Sequence, residues 1–80
     1  LDPASAWIDA DVTIGRDTLL YPNVTLEGRT VIGENTVVHS GTRITDCTIG
    51  QRVEILDHCI FRESQVEDDS HLGPFVHLRP

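Results

Sequence analysis

Four histidines, two cysteines, thirteen carboxylates and six basic side chains are the groups in this 80-residue chain that could do chemistry. His39, His58, His71 and His77 raise zinc binding, which needs three or four ligands converging at about 2 Å. Cys47 and Cys59 raise a thiolate nucleophile, which needs a base and an electropositive setting; Asp46 and Asp57 beside them supply the opposite. Asp9 with Asp11, and Asp68-Asp69, are paired carboxylates of the kind used in acid–base work. Arg79 stands one residue from the end of SHLGPFVHLRP, inside what reads as a strand. Ser40-Gly41 and Gly73-Pro74 read as corners and not as phosphate loops, because neither opens a helix.

Composition narrows the partners. Thirteen acidic against six basic residues give a net charge of −7, with no basic run. That disfavours nucleic acid and anionic membranes as partners. No apolar run approaches the roughly 18 residues of a membrane span. The two cysteines do not form a CxxC, and they read as reduced thiols of a cytoplasmic protein, with no disulfide framework or zinc site. The chain lacks methionine, and its last residues do not read as a cap, so it is expected to be a piece of a longer protein.

The elements that must position these groups follow from a repeat. Ile8, Ile14, Leu20, Leu26, Ile32, Val38 and Ile44 recur every six residues. A step of five reaches Ile49, sixes continue to Ile55 and Phe61, a second five reaches Val66, and sixes end at Leu72 and Leu78. We call these residues position i. Counting four residues on gives Val12, Thr18, Val24, Thr30, Thr36, Thr42, Thr48, Val53, Cys59, Gln65, Ser70 and Val76, all small or β-branched except Gln65. A period of six with a second inward-sized residue is neither helical nor a simple alternation. Between these positions lie turn formers such as Pro22-Asn23, Glu34-Asn35 and Ser40-Gly41, which favour tight corners. Each hexad therefore predicts one short strand and one corner.

By resemblance to left-handed parallel β-helices, three such hexads would close a triangular coil of about eighteen residues, stacked at strand spacing. The expected faces collect Ile14, Ile32, Ile49 and Val66; then Leu20, Val38, Ile55 and Leu72; then Ile8, Leu26, Ile44, Phe61 and Leu78. Both five-residue steps fall at the same corner of successive coils, as they must if strands are to stay paired. Gly15, Gly33 and Gly50 also stack. The fold expected is all-β: a left-handed parallel β-helix of a little over four coils, forming one segment over residues 1–80. Its left hand, an exception to the usual right-handed crossover, comes only from the resemblance of the hexads to hexapeptide repeats.

On that frame His39 is at i+1, His58 at i+3, and His71 and His77 both at i+5, one hexad apart and so on different faces; no two occupy equivalent places on neighbouring coils. No metal site is expected. Cys59 should point inward as a small core residue, and Cys47 should sit near a corner. The paired carboxylates read as exposed turn formers. Trp7 is expected to cover the first coil or to pack on a neighbouring domain, and Tyr21 shows no ligand box.

Three stretches then carry a resemblance: LDPASAWIDADVTIGRDTLLYPNVTLEG, TVIGENTVVHSGTRITDCTIG and LGPFVHLRP. Together they resemble the bacterial bifunctional N-acetylglucosamine-1-phosphate uridyltransferase/glucosamine-1-phosphate acetyltransferase family, at the start of its left-handed β-helix. The resemblance covers essentially all 80 residues. The hexads are weakly specific, whereas the Asp-Pro entry, YPNVTLEG and GPFxxLRP are much more so. It implies a cytoplasmic enzyme of UDP-N-acetylglucosamine biosynthesis for cell-wall polymers, working as a homotrimer with acetyl-transfer sites between helices. Acetyl-CoA and glucosamine 1-phosphate would be its substrates. Magnesium would act in a uridyltransferase domain upstream of this chain. It also implies that Arg79 contacts the sugar phosphate, a role suited to a planar guanidinium. The catalytic histidine, further phosphate-binding lysines and the acetyl-CoA contacts would lie beyond Pro80. The piece itself would then carry no catalytic residue, bind no cofactor and be silent alone. The competing expectation is a non-catalytic hexapeptide module that oligomerises or regulates a sugar-phosphate nucleotidyltransferase.

Overall fold

The computed structural model describes residues 6–79. Among them are thirteen strands of two or three residues and no helix. They are β1 (Trp7–Ile8), β2 (Thr13–Ile14), β3 (Leu19–Leu20), β4 (Thr25–Glu27), β5 (Val31–Ile32), β6 (Val37–Val38), β7 (Arg43–Thr45), β8 (Thr48–Ile49), β9 (Glu54–Ile55), β10 (Ile60–Arg62), β11 (Gln65–Val66), β12 (His71–Leu72) and β13 (His77–Leu78). Each strand pairs in parallel with the third strand after it. This produces three sheets, ordered β1-β4-β7-β10-β13, β2-β5-β8-β11 and β3-β6-β9-β12. The register sets position i on position i: Leu26 on Ile44, Phe61 on Leu78, Ile32 on Ile49, Val38 on Ile55. The chain is the left-handed parallel β-helix that the hexads imply.

The coil holds together because a two-residue strand points only one side chain inward. Position i fills the centre: Leu20, Leu26, Ile32, Val38, Ile44, Ile49, Ile55 and Phe61 are each at most 2% exposed. The residue two before i lies on the same side of the strand and turns in at the corner. For six-residue steps this is the same residue as i+4. At the two five-residue steps it is not, and there the structure corrects the sequence reading. Thr48 and Gln65 are exposed, while Cys47 is buried and Ser64 half-buried. Inward phase is set by the strand about to begin, so trimming a corner moves the inward residue one place earlier.

Threonine hydroxyls satisfy the backbone at these inward corners. Thr30, Thr36 and Thr42 are fully buried. The Thr36 hydroxyl donates to the Gly50 carbonyl at 2.9 Å and accepts from the Val53 N–H at 3.4 Å. Thr42 does the same with the Leu56 carbonyl and the Cys59 N–H. Among the described residues no buried side-chain nitrogen or oxygen is left without a partner, which is what allows polar atoms inside so small a core.

The corners take left-handed backbone. Gly28 and Gly41 have positive φ, as do Asp17, Asn23, Asn35, Asp46 and Asp69, types that tolerate it. Arg52, His58, Glu63 and Phe75 do so as well, at a cost of roughly 1–2 kcal/mol each. Arg52 is held by a two-pronged contact to Asp69, at 2.7 and 3.2 Å. The His58 ring stacks on Phe75 with centroids 5.6 Å apart. Trp7 does not cover the first coil: it stands outward on β1, 63% exposed, its indole N–H donating to Asp9 at 2.8 Å. The residue before position i faces outward on every strand, and Trp7 is the residue before Ile8.

Candidate functional site

The outer face of the five-stranded sheet carries a row of residues that follow position i: Asp9, Glu27, Thr45, Arg62 and Arg79. Strand pairing places Phe61 beside Leu78, so Arg62 and Arg79 are neighbours on adjacent coils. Both are exposed. Together with Thr45, Asp46 and Glu63 they line an open hollow of ≈ 250 Å³. A second hollow of ≈ 330 Å³, lined by Glu27, Arg43, Thr45, Ile60 and Arg62, adjoins it through Thr45 and Arg62. The two form one groove running up the sheet.

The lower end of the groove is neutralised. Arg43 forks onto Glu27 at 2.8 and 3.2 Å, and Thr45 donates to the same carboxylate at 3.1 Å. The Arg43 contact holds the Glu27 carboxyl below its ordinary range, against some opposing desolvation. In the upper hollow, Asp46 accepts from the Arg29 N–H at 2.9 Å. Among the described residues, Arg62 and Arg79 form no ion pair within 4.0 Å, although Asp46 and Glu63 line the same hollow. This end therefore carries the unpaired guanidiniums of the face.

The other groups suggested by the sequence are dispersed. His39 lies between Glu54 at 3.4 Å and Asp57 at 3.8 Å, and its ring stacks on Tyr21. His71 meets the other Glu54 oxygen at 3.2 Å. His58 is at a different corner, on Phe75, and His77 is on the five-stranded sheet. No group of three metal-ligating side chains gathers among the described residues. Cys59 is buried as expected; Cys47 is buried too. Burial pushes the Cys47 thiol up, which disfavours the thiolate. Asp69 is engaged by Arg52 and Asp68 accepts from the Gln51 N–H at 2.8 Å, so this carboxylate pair is tied into the corner. Asp9 likewise accepts from the Gly28 N–H at 3.0 Å.

Sequence reading missed Arg62. The signal was available: Arg62 and Arg79 both follow position i, seventeen residues apart, which is one coil across a five-residue step. Asp2, Pro3 and Pro80 lie outside the described residues.

Comparison with known proteins fits this architecture. The family model described as bacterial transferase hexapeptide (six repeats) matches residues 11–46. A "Bifunctional protein GlmU" of Thermodesulfovibrio yellowstonii is 48% identical over 79 residues, covering 99% of this chain and 18% of that protein. Those of Listeria monocytogenes and Shouchella clausii are 50% and 46% identical over 80 residues, covering all of this chain and 17% of each relative. The chain thus spans less than a fifth of the length of the curated relatives it matches.

Proposed function

The chain is a hexapeptide-repeat β-helix segment similar from end to end to bifunctional GlmU proteins, and on that premise we propose that it opens the acetyltransferase domain of a longer enzyme. That enzyme transfers acetyl from acetyl-CoA to glucosamine 1-phosphate and uridylyl from UTP to the product, making UDP-N-acetylglucosamine in the cytoplasm for cell-wall polymers. A nucleotidyltransferase domain precedes residues 1–80, and further coils follow them. The observation that carries the reading is similarity along the whole segment, including the stretch that brings Arg79 to an open hollow.

In this reading Arg79 holds the sugar phosphate. A guanidinium keeps its charge at any working pH and offers paired N–H donors to phosphate oxygens. Holding the phosphate fixes the sugar, so that its amine can meet the thioester carbon in a productive orientation. The amine nitrogen bonds to the acetyl carbon, the carbon–sulfur bond breaks, and coenzyme A leaves as thiol once the amine proton is transferred. The general base and the acetyl-CoA contacts belong to coils beyond Pro80. Magnesium would serve the nucleotidyltransferase domain. Homotrimers would bring a neighbouring helix against the site. No helix among the described residues is long and apolar enough to cross a membrane, and the acidic surface suits neither nucleic acid nor anionic membrane as a partner.

The test uses the longer protein that carries these residues, assayed for acetyl transfer to glucosamine 1-phosphate. Arg79→Ala raises KM for the sugar phosphate about tenfold or more and leaves KM for acetyl-CoA near its starting value. Sedimentation of the same protein reports trimers. An intact, folded protein without acetyl transfer would leave the segment as a structural module of a nucleotidyltransferase.

A further inference from the structure

Six arginines serve this chain of net charge −7. Three of them face carboxylates: Arg16 with Glu34, Arg43 with Glu27 and Arg52 with Asp69. Of Arg29, Arg62 and Arg79, which form no ion pair among the described residues, only Arg62 and Arg79 share a hollow. In this acidic chain two guanidiniums stand together with no carboxylate paired to them within 4.0 Å, although Asp46 and Glu63 line the same hollow. The cost is mutual repulsion, reduced by solvent at exposed sites.

We propose that Arg62 is a second phosphate-binding residue, forming with Arg79 a two-arginine clamp for a phosphate monoester. The inference rests on the reading of Arg79 as a phosphate contact and extends it one coil down the sheet. Parallel pairing of Phe61 with Leu78 sets the two arginine backbones about one strand spacing apart, roughly 4.8 Å. Both side chains leave the sheet on the same face, because both follow an inward residue. A tetrahedral anion in the hollow can then accept from both guanidiniums at once. Thr45, on the coil below, lines the same hollow, but its hydroxyl is spent on Glu27. Asp46 is drawn back by the Arg29 N–H. Glu63 is the remaining carboxylate, and its charge opposes the anion and tunes affinity downward.

Two phosphate monoesters match this chemistry, a sugar 1-phosphate and the 3′-phosphate of coenzyme A. Each is titrated, beside inorganic phosphate, into the longer protein that carries these residues at low ionic strength, with the arginine Nε–Hε signals followed by NMR. The expected result is movement of the Arg62 and Arg79 signals together, with one dissociation constant. Arg62→Gln weakens glucosamine 1-phosphate about tenfold, Arg62→Lys recovers part of the loss, and Glu63→Gln tightens binding severalfold. Arg16→Gln, at a distant corner, controls for net charge.

If Arg79→Gln weakens binding and Arg62→Gln changes it less than twofold, the clamp is wrong and the Arg79 reading stands. If Arg16→Gln weakens binding as much as Arg62→Gln, the effect is net charge only and the clamp is wrong. If neither Arg62→Gln nor Arg79→Gln changes binding, both readings fall. If coenzyme A alone shows the paired response, the clamp holds but belongs to the acetyl donor.

Discussion

The hydroxyl of Thr36 bridges two coils by donating to the carbonyl of Gly50 at 2.9 Å. The same oxygen accepts from Val53 N–H, so one side chain serves two backbone groups of the next coil. Thr36→Val keeps the shape and leaves both groups unpaired in the interior. Each unsatisfied group costs about 1–3 kcal/mol. In a domain of this size, Tm should fall by about 4–8 °C per kcal/mol. Thermal unfolding of Thr36→Val against Thr36→Ser checks this; equal Tm values would show that the hydroxyl contributes nothing.

The glycine stack predicts a sharper loss. A Cβ added to Gly33 would sit 2.6 Å from the Gly50 carbonyl oxygen and 2.7 Å from its carbonyl carbon. Both are backbone atoms of a paired coil and cannot step aside without breaking the ladder. Gly33→Ala should cost at least the roughly 1–3 kcal/mol typical of overpacking, seen as a lower urea midpoint. An unchanged midpoint would mean that the coils separate more easily than their pairing suggests.

Acid should loosen two coil-to-coil ties. Hydrogen bonding by Arg52 holds the Asp69 carboxyl below its ordinary value, and the Arg43 contact does the same for Glu27. Folded values lie below unfolded ones, so this stabilisation is present above the normal carboxylate range and is lost as pH falls through the depressed folded values. Both pairs are solvent-screened, so each effect is small. Asp69→Asn should be less stable than the parent at pH 7 and approach it near pH 2. A pH-independent gap between the two would refute the ion-pair account.

Cys47 should behave as an interior residue. It follows Thr30 and precedes Ser64 in one inward column; its N–H donates to the Thr30 hydroxyl, and its sulfur accepts from Ser64 N–H. Cys47→Ser or Cys47→Thr, both found in that column, should stay within about 1 kcal/mol of the parent. The native thiol should react with a thiol reagent only after denaturation. Rapid labelling of the folded chain would place Cys47 at the surface.

Most of the frame was legible from single residues. Ile14, Ile32 and Ile49 announce one sheet because equal hexad steps bring them back to one face. Gly15, Gly33 and Gly50 announce the close approach that follows, since no side chain fits there. Arg79 was named through resemblance, and its hollow is visible only in three dimensions.

Sequence by itself determined the strand phase, the three faces and the corner shared by both five-residue steps. The two five-residue steps lie three steps apart, so they share a corner when three hexads make a coil. Tertiary structure alone decided which small residue enters at each trimmed corner, Cys47 and Ser64 in place of Thr48 and Gln65. It also decided that Arg43 spends its charge on Glu27 while Arg62 stays beside Arg79. Those outcomes depend on contacts between coils seventeen or eighteen residues apart, where a one-residue change of step alters which side chains meet.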